Sequence, residues 1–523
     1  MHSTLVTFRP GMGRSAACPR AGQAGSARLA SAFGVVMAST LATLVRAEPS
    51  SEGERPARPA EHVYATFCAS CHGADMRGGL GPGFVNHAWR YGDDDESIAS
   101  TIREGRVEAG MPPMGGALSD DEIRELVAHL RRRIAHDAQE PVQVALRQEP
   151  AAAVVTELHA FRVETVSEEL DTPWAVAFLA DGRMLVTEKE GRLRVFEDGR
   201  LLPEPVRNTP EVWHIGQGGL LDVAVHPNHA ENGWIYLSYS SLSAPGEGMT
   251  AVERGRLRAG TWVDRETVFR APAGEARPGG AQFGSRLLLD ESGHVFFSIG
   301  DRDFPDDAQD LRRPNGKIHR VGDDGGVPAD NPFIGHDDAL PTIWSFGHRN
   351  PQGLARDPWS GELWATEHGP RGGDELNRIV PGANYGWPRA TYGVNYDGSA
   401  VSPFTSLEGM QDPVTHWTPS IGVCALKFYT GHRFPGWRNH LFMASLVQEE
   451  LRRLEVREGM VMREETVLRG WGRVRDIATG PDGCLYVALN LPDRIIRLVP
   501  AEDPVPDDIF VHASPEEEGP PET

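Results

Sequence analysis

Lysine is almost missing from this chain: three residues of 523, so nearly all of its positive charge is arginine. Even with arginine, 52 basic residues face 74 acidic ones, for a net charge of −22. Nucleic-acid phosphates would be repelled by such a surface, which excludes that class of partner. Cysteine is also scarce, at five residues, and that excludes a disulfide-stapled scaffold. Beyond residue 45 no run of apolar residues is long enough to cross a bilayer. What is present is a soluble globular composition, 40% hydrophobic and 24% charged, long enough for two or three domains. The 58 glycines and 40 prolines supply many turns.

The N-terminus reads as a leader. Arg14, Arg20 and Arg28 precede a weakly apolar stretch at 29–45, and Val45-Arg46-Ala47 offers a small-x-small cleavage site. We expect residues 1–47 to be an export signal that takes Cys18 with it, the alternative being an uncleaved membrane anchor. Cys68-Ala69-Ser70-Cys71-His72 follows. Thiols at this spacing can add to the two vinyl groups of one haem, with the adjacent His72 as axial ligand. A zinc site would need two further ligands, and no second CxxC exists. Further on come Met111-Pro112-Pro113-Met114 and then Ser119-Asp120-Asp121-Glu122, an N-cap followed by acids. Ile123, Leu126, Val127 and Leu130 recur there at helical spacing. This combination resembles class I c-type cytochromes over residues 55–136. The resemblance implies a small all-α domain, His72 as proximal ligand and Met111 as distal ligand, with Met114 as the fallback. A His/Met pair suits electron transfer. Residues 137–154 read as a linker.

From 155 to 500 one pattern recurs: an apolar strand, a polar turn often holding Gly, and a strand carrying an aromatic residue. It begins at Val176, Val223, Leu287, Leu354, Leu426 and Ile477. Six occurrences, at roughly 58 residues per unit, predict a mainly β chain folded as a six-bladed β-propeller rather than a pair of sandwiches. Asp171, Gln217, Gln282, Arg349, Ser420 and Arg473 each sit four to six residues before a repeat. Equivalent positions share one rim, so these side chains should converge on one mouth. Arg349-Asn350 and the Arg473/Arg475 pair supply planar forks for an anion with several carboxylates. Asp374-Glu375 and nearby carbonyls would suit Ca²⁺.

Several segments make the propeller more specific. They are Asp171-Thr-Pro-Trp174, Gly216-Gln-Gly-Gly219, Gly347-His-Arg-Asn350, Glu367-His-Gly-Pro-Arg-Gly-Gly-Asp-Glu375, Asn384-Tyr-Gly-Trp387 and Arg473-Val-Arg-Asp476. Together they resemble the soluble aldose sugar dehydrogenases of the glucose/sorbosone dehydrogenase type, which use pyrroloquinoline quinone (PQQ). The resemblance implies PQQ contacts from Gln217, Arg349, Asn350, Tyr396, Arg473 and Arg475, with Trp417 flanking substrate and cofactor. It also implies that Gly369 and Pro370 offer carbonyls to a Ca²⁺ beside the quinone, and that Glu375 and the Tyr385 carbonyl hold a second Ca²⁺. The family's catalytic His falls in a Gly-x-His-x-Gly-x-Arg run, and Asp301 matches the acid that orients it. Here the run is Gly280-Ala281-Gln282-Phe283-Gly284-Ser285-Arg286, and a PQQ-contacting Lys falls at Val447. Gln282 is neutral and cannot act as a general base. Asp301 is therefore expected as the base, with Glu367 or His368 behind it.

The expected protein is an exported, periplasmic or secreted quinohaemoprotein with haem c, PQQ and Ca²⁺. It would oxidise a sugar or polyol and reduce an external acceptor. The alternatives are a propeller without dehydrogenase activity that binds or relays electrons, favoured by Gln282 and Val447, and a haem-d₁-type reductase, opposed by the six repeats. Residues 501–523 are acidic and proline-rich and read as a disordered tail.

Overall fold

The computed structural model describes residues 58–72, 76, 84, 91–92, 94–107, 111–139 and 153–501, with backbone only at Ser70 and 135–139. The leader with Cys18, most of the 137–154 linker and the tail beyond Ala501 lie outside the described residues. Among the described residues no helix is long and apolar enough to cross a membrane.

The N-terminal part is helical: α1 (Ala60–Phe67), α2 (Ala69–His72), α3 (Asp95–Glu104) and α4 (Asp120–Gln139). α4 starts as its sequence dictates. The Glu122 amide donates to Ser119 Oγ at 3.2 Å and the Ser119 amide donates to Glu122 Oε2 at 3.0 Å, a reciprocal cap. Arg58 adds a fork onto the same carboxylate, at 2.7 and 2.9 Å. That fork is the largest reason why the Glu122 carboxyl is held down at about 2. The apolar stripe of α4 closes a core with Val63, Phe67, Ile98, Ile102, Met114 and Leu118.

The rest is six antiparallel sheets. The first four are built in chain order. They run from Pro173–Phe178 to Arg200–Leu201, from Leu220–Val225 to Thr261–Phe269, from Leu287–Leu289 to Ile343–Phe346, and from Pro351–Arg356 to Thr415–Trp417. The fifth runs from Val423–Phe428 to Met460–Arg469. The sixth starts with Arg473–Thr479, Leu485–Asn490 and Arg494–Pro500, and its next strand is Ala160–Ser167, from the start of the propeller. Sewing the two ends into one blade leaves no open seam between first and last blades. The repeats predicted this blade count but not the shared last blade. The first strand of each blade packs on that of the next, and the sixth packs back on the first, so six strands line the axis.

An ion triad ties the blades beside that axis. Arg286 Nη1 lies 3.3 Å from Asp222 and 2.8 Å from Asp476, and Arg286 Nε donates to the Gln352 carbonyl at 3.0 Å. Asp222 accepts from the Leu287 amide and Asp476 from the Val176 amide, so three side chains tie five blades. The Arg286 guanidinium also lies over the Trp174 ring, 4.4 Å from its centroid. All three charges are buried, and this is tolerable only because each is paired and hydrogen-bonded.

Candidate active site

The loops entering the first strands bring most of the expected rim residues together. Gln217 is fixed by its amide on the Gly280 carbonyl at 2.6 Å, and its Oε1 accepts from the Gln282 amide at 3.0 Å. Gln282 itself has φ +54, a left-handed backbone that turns its side chain into the wall. Its Nε2 donates to Asp303 Oδ1, while its buried Oε1 has no partner among the described residues. Residue 282 thus bonds Asp303 and not Asp301. Two positive-φ residues, Arg302 and Asp303, follow Asp301 and swing Asp303 over. Spacing alone could not show that turn.

Asp301 is fully buried. Its Oδ2 accepts from Trp387 Nε1 at 2.7 Å and its Oδ1 from the Asp303 amide at 3.0 Å. Burial pushes its carboxyl up to about 7, against the pull of Arg349. Both of its oxygens are therefore engaged in the wall. Glu367 is engaged too: it meets His348 Nδ1 at 2.9 Å and accepts from the Arg349 amide at 2.7 Å. His368 differs. Its buried Nε2 has no partner among the described residues, and burial, with Arg349 and Arg475 nearby, pushes the imidazole down to about 4, so it is neutral at ordinary pH.

The arginines behave as three separate groups. Arg349 Nη1 donates to the His368 carbonyl at 3.1 Å and the Gly369 carbonyl at 2.6 Å, and the Tyr396 hydroxyl lies close to its guanidinium. Arg475 donates to Asn490 Oδ1 at 3.2 Å and sits against the buried Cys424 sulfur at 3.6 Å. Arg473 is buried, its Nη2 lacks a partner among the described residues, and burial beside Arg475 lowers it to about 10. Buried cations held close together with donors to spare fit an anionic guest. The spare Nη2 donor of Arg473 with Arg475 beside it is what fits the carboxylates of a tricarboxylate quinone.

Other expected residues divide. Asn350 is buried and uses Oδ1 to accept from the Gly284 amide at 3.1 Å, so it braces the 282–284 turn. Trp417 sits on the outermost strand of its blade with Nε1 donating to Glu464 at 3.3 Å, while its carbonyl accepts from the Gly373 amide. Ser420 Oγ accepts from the Gly372 amide, and Asp171 stays exposed beside Arg192. Asp374, read as a cation ligand, is spent elsewhere. Its Oδ2 takes the amides of Ile421, Gly422 and Val423, and its Oδ1 takes that of Gly369.

For calcium, among the described residues no group of three or more His, Cys, Asp or Glu is arranged to hold a metal ion. Of the oxygens implied, the Gly369 carbonyl already accepts from Arg349. Glu375 is buried beside Glu367, and burial holds its carboxyl well above the usual range. Asn377 Nδ2 bridges both carboxylates at 2.9 and 3.1 Å, and its Oδ1 has no partner among the described residues. That all-oxygen set around Glu375 fits a hard cation better than the Gly369 loop does.

Lys189 was missed by sequence reasoning. It comes from the end of Met184–Glu188, its Nζ donates to the Gly216 carbonyl at 2.5 Å, and burial with Arg475 nearby lowers it to about 8. The signal was available, since it is one of three lysines in the chain.

In the helical part, Cys68 and Cys71 are thiols, one just before α2 and one within it, and burial pushes the Cys68 thiol up to about 12. Buried His72 stacks on Phe84 with ring centroids 4.5 Å apart. Met114 is buried in the core and its amide bonds the Ile102 carbonyl, whereas Met111 lies at the edge of the core. Thiols, an imidazole and a thioether around an apolar core are the donor set that a covalent haem uses.

The model of the family described as Glucose / Sorbosone dehydrogenase matches residues 170–497. The chain belongs to that family. Residues 55–130 match the model described as Cytochrome C oxidase, cbb3-type, subunit III, so a cytochrome c domain precedes the dehydrogenase domain. The aldose sugar dehydrogenase YliI of Escherichia coli (strain K12) is 43% identical over 331 residues, covering 62% of this chain and 89% of the relative. The crystal structure of the soluble aldose sugar dehydrogenase from Escherichia coli in the apo-form superposes with a TM-score of 0.62 at 40% identity, over 65% of this chain and all of that one. The PQQ-bound aldose sugar dehydrogenase of Streptomyces coelicolor gives 0.55 at 27% identity, over 67% of this chain and 99% of that one.

Proposed function

We propose that this chain is an exported quinohaemoprotein, periplasmic or secreted. It oxidises a sugar or polyol and passes the electrons through its own cytochrome domain to an external acceptor. The observation that carries this reading is the buried Arg473 guanidinium with an unpartnered Nη2 and Arg475 beside it in the axial mouth. When bound, PQQ would supply a two-electron acceptor, Ca²⁺ a Lewis acid, and the c-type haem a one-electron relay.

The chain's own residues do the rest. Arg349, Arg473 and Arg475 bind and orient carboxylates, with Gln217 and Tyr396 at the side. Trp387 and Trp174 cover the guanidiniums of Arg349 and Arg475 and keep water off them. In this reading His368, not Asp301, removes the hydroxyl proton at Nε2. Its nitrogen is neutral and uncommitted, whereas the oxygens of Asp301 are held by Trp387 and the Asp303 amide. Gln282 positions Asp303 and takes no part in proton transfer. Residues 1–47 act as the leader, and Cys68, Cys71, His72 and Met111 would hold the haem. Gly369, Pro370, Glu375 and the Tyr385 carbonyl are the candidate calcium ligands.

The test is a spectrum. The exported protein is loaded with PQQ and Ca²⁺, and the haem band is followed as candidate sugars are added. The expected result is haem reduction by at least one sugar or polyol. Silence across the panel would favour the second reading, a binding or relay module, which Gln282 and Val447 support.

A further inference from the structure

The loop that carries Gly369 and Pro370 also reaches the cytochrome domain. Arg371 stands in it, and its guanidinium lies over the Phe67 ring, 4.8 Å from the centroid. Phe67 ends α1 and immediately precedes Cys68. The Cys68 amide bonds the Tyr64 carbonyl at 2.9 Å, and the Cys71 and His72 amides bond the Cys68 carbonyl at 3.1 and 2.8 Å. A grip on Phe67 is therefore a grip on the whole haem-attachment turn. Tyr396 makes the second contact: it packs against the same core cluster as Cys68, Phe84 and Met111 while its hydroxyl lies close to the Arg349 guanidinium.

These two contacts belong to one rigid platform. Arg371 and Val394 exchange backbone hydrogen bonds at 3.0 and 3.1 Å, so Tyr396, two residues on, is held in register with Arg371.

We propose that Arg371 is a positioning residue that latches the cytochrome domain onto the propeller mouth through Phe67, and that Tyr396 bridges Arg349 to the haem crevice. The electron-transfer consequence rests on the function proposed above; the latch itself does not. The substrate releases two electrons, the haem iron accepts one at a time, and an external one-electron acceptor takes each in turn. Docking replaces a tethered search with a fixed contact, which raises the effective concentration of the relay.

The test uses the full chain in two arms. In the PQQ-free haemoprotein, hydrogen exchange is measured over 60–67 and 391–397. Arg371→Ala should quicken exchange in both segments, and Arg371→Lys, which keeps a cation for the ring, should restore it. Phe67→Leu, which keeps apolar bulk and removes the ring, should act like Arg371→Ala. In the PQQ-loaded protein, Arg371→Ala should slow sugar-driven haem reduction by about tenfold, the loss of one such contact. Unchanged exchange in both Arg371→Ala and Phe67→Leu would overturn the latch. If the wild-type haem is not reduced by any sugar, the proposed function fails while the exchange arm still decides the docking.

Discussion

Asp301→Asn tests how the wall of the mouth is built. The carboxyl is fully buried, accepts from Trp387 Nε1 and the Asp303 amide, and is pushed up to about 7 by burial. An unfolded Asp titrates near about 3.9, so the rise is about 3 units, worth about 4 kcal/mol at about 1.36 kcal/mol each. A raised carboxyl stabilises the fold where it is protonated. That contribution is complete below about pH 4 and is lost as pH climbs to about 7. Starting from pH 5, two units remain, so wild-type stability should fall by about 2.7 kcal/mol by pH 8.5 from this group alone. The amide introduced by the substitution cannot ionise, although one donor facing its nitrogen would cost about 1–3 kcal/mol at any pH. Denaturant unfolding of both proteins at pH 5 and 8.5 gives the double difference directly. It should shift toward the variant by about 2.7 kcal/mol on going to pH 8.5. A shift below about 1 kcal/mol would refute the buried-carboxyl argument.

Three further outcomes follow from the same geometry. The pH profile of kcat/KM should stay flat from pH 9 down to about 5 and fall only as His368 protonates, near about 4. A limb near 7 that vanishes in Asp301→Asn would instead make Asp301 the base. Arg286→Met should destabilise the propeller by about 3–5 kcal/mol, because Asp222 and Asp476 would be left buried and unpaired; a melt within about 1 kcal/mol of wild type would show the triad to be solvated. Arg473→Lys keeps the charge but loses the planar fork, so a titration with PQQ should show affinity about tenfold weaker, and equal affinity would remove Arg473 from the carboxylate site.

Much of the fold could be read in advance because its cues are local. Val176, Val223, Leu287, Leu354, Leu426 and Ile477 each lie in the first strand of a blade, and the turn chemistry that follows lies within a few residues. The rim phase carried some information, for Gln217 Oε1 accepts from the Gln282 amide across neighbouring blades. Asp171 and Asp374 show where polar residue type misleads, since one serves an exposed arginine and the other four backbone amides. Lys189 lay outside that phase, and its role depends on a carbonyl in the next blade.

The sequence by itself determined the parts whose chemistry is contiguous. Cys68-Ala-Ser-Cys71-His72 places two thiols and an imidazole on one turn whatever surrounds them. Ser119 and Glu122 cap a helix across three residues, and six strand–turn–strand repeats make six blades. Only the tertiary structure decided which partners those groups take. Gln282 meets Asp303 because two left-handed residues after Asp301 redirect the chain. Tyr396 joins Arg349 to the cytochrome core because Arg371 and Val394 pair across a loop. Such contacts depend on where the backbone turns in space, and burial then assigns each side chain its charge state. Neither is encoded in any single stretch of residues.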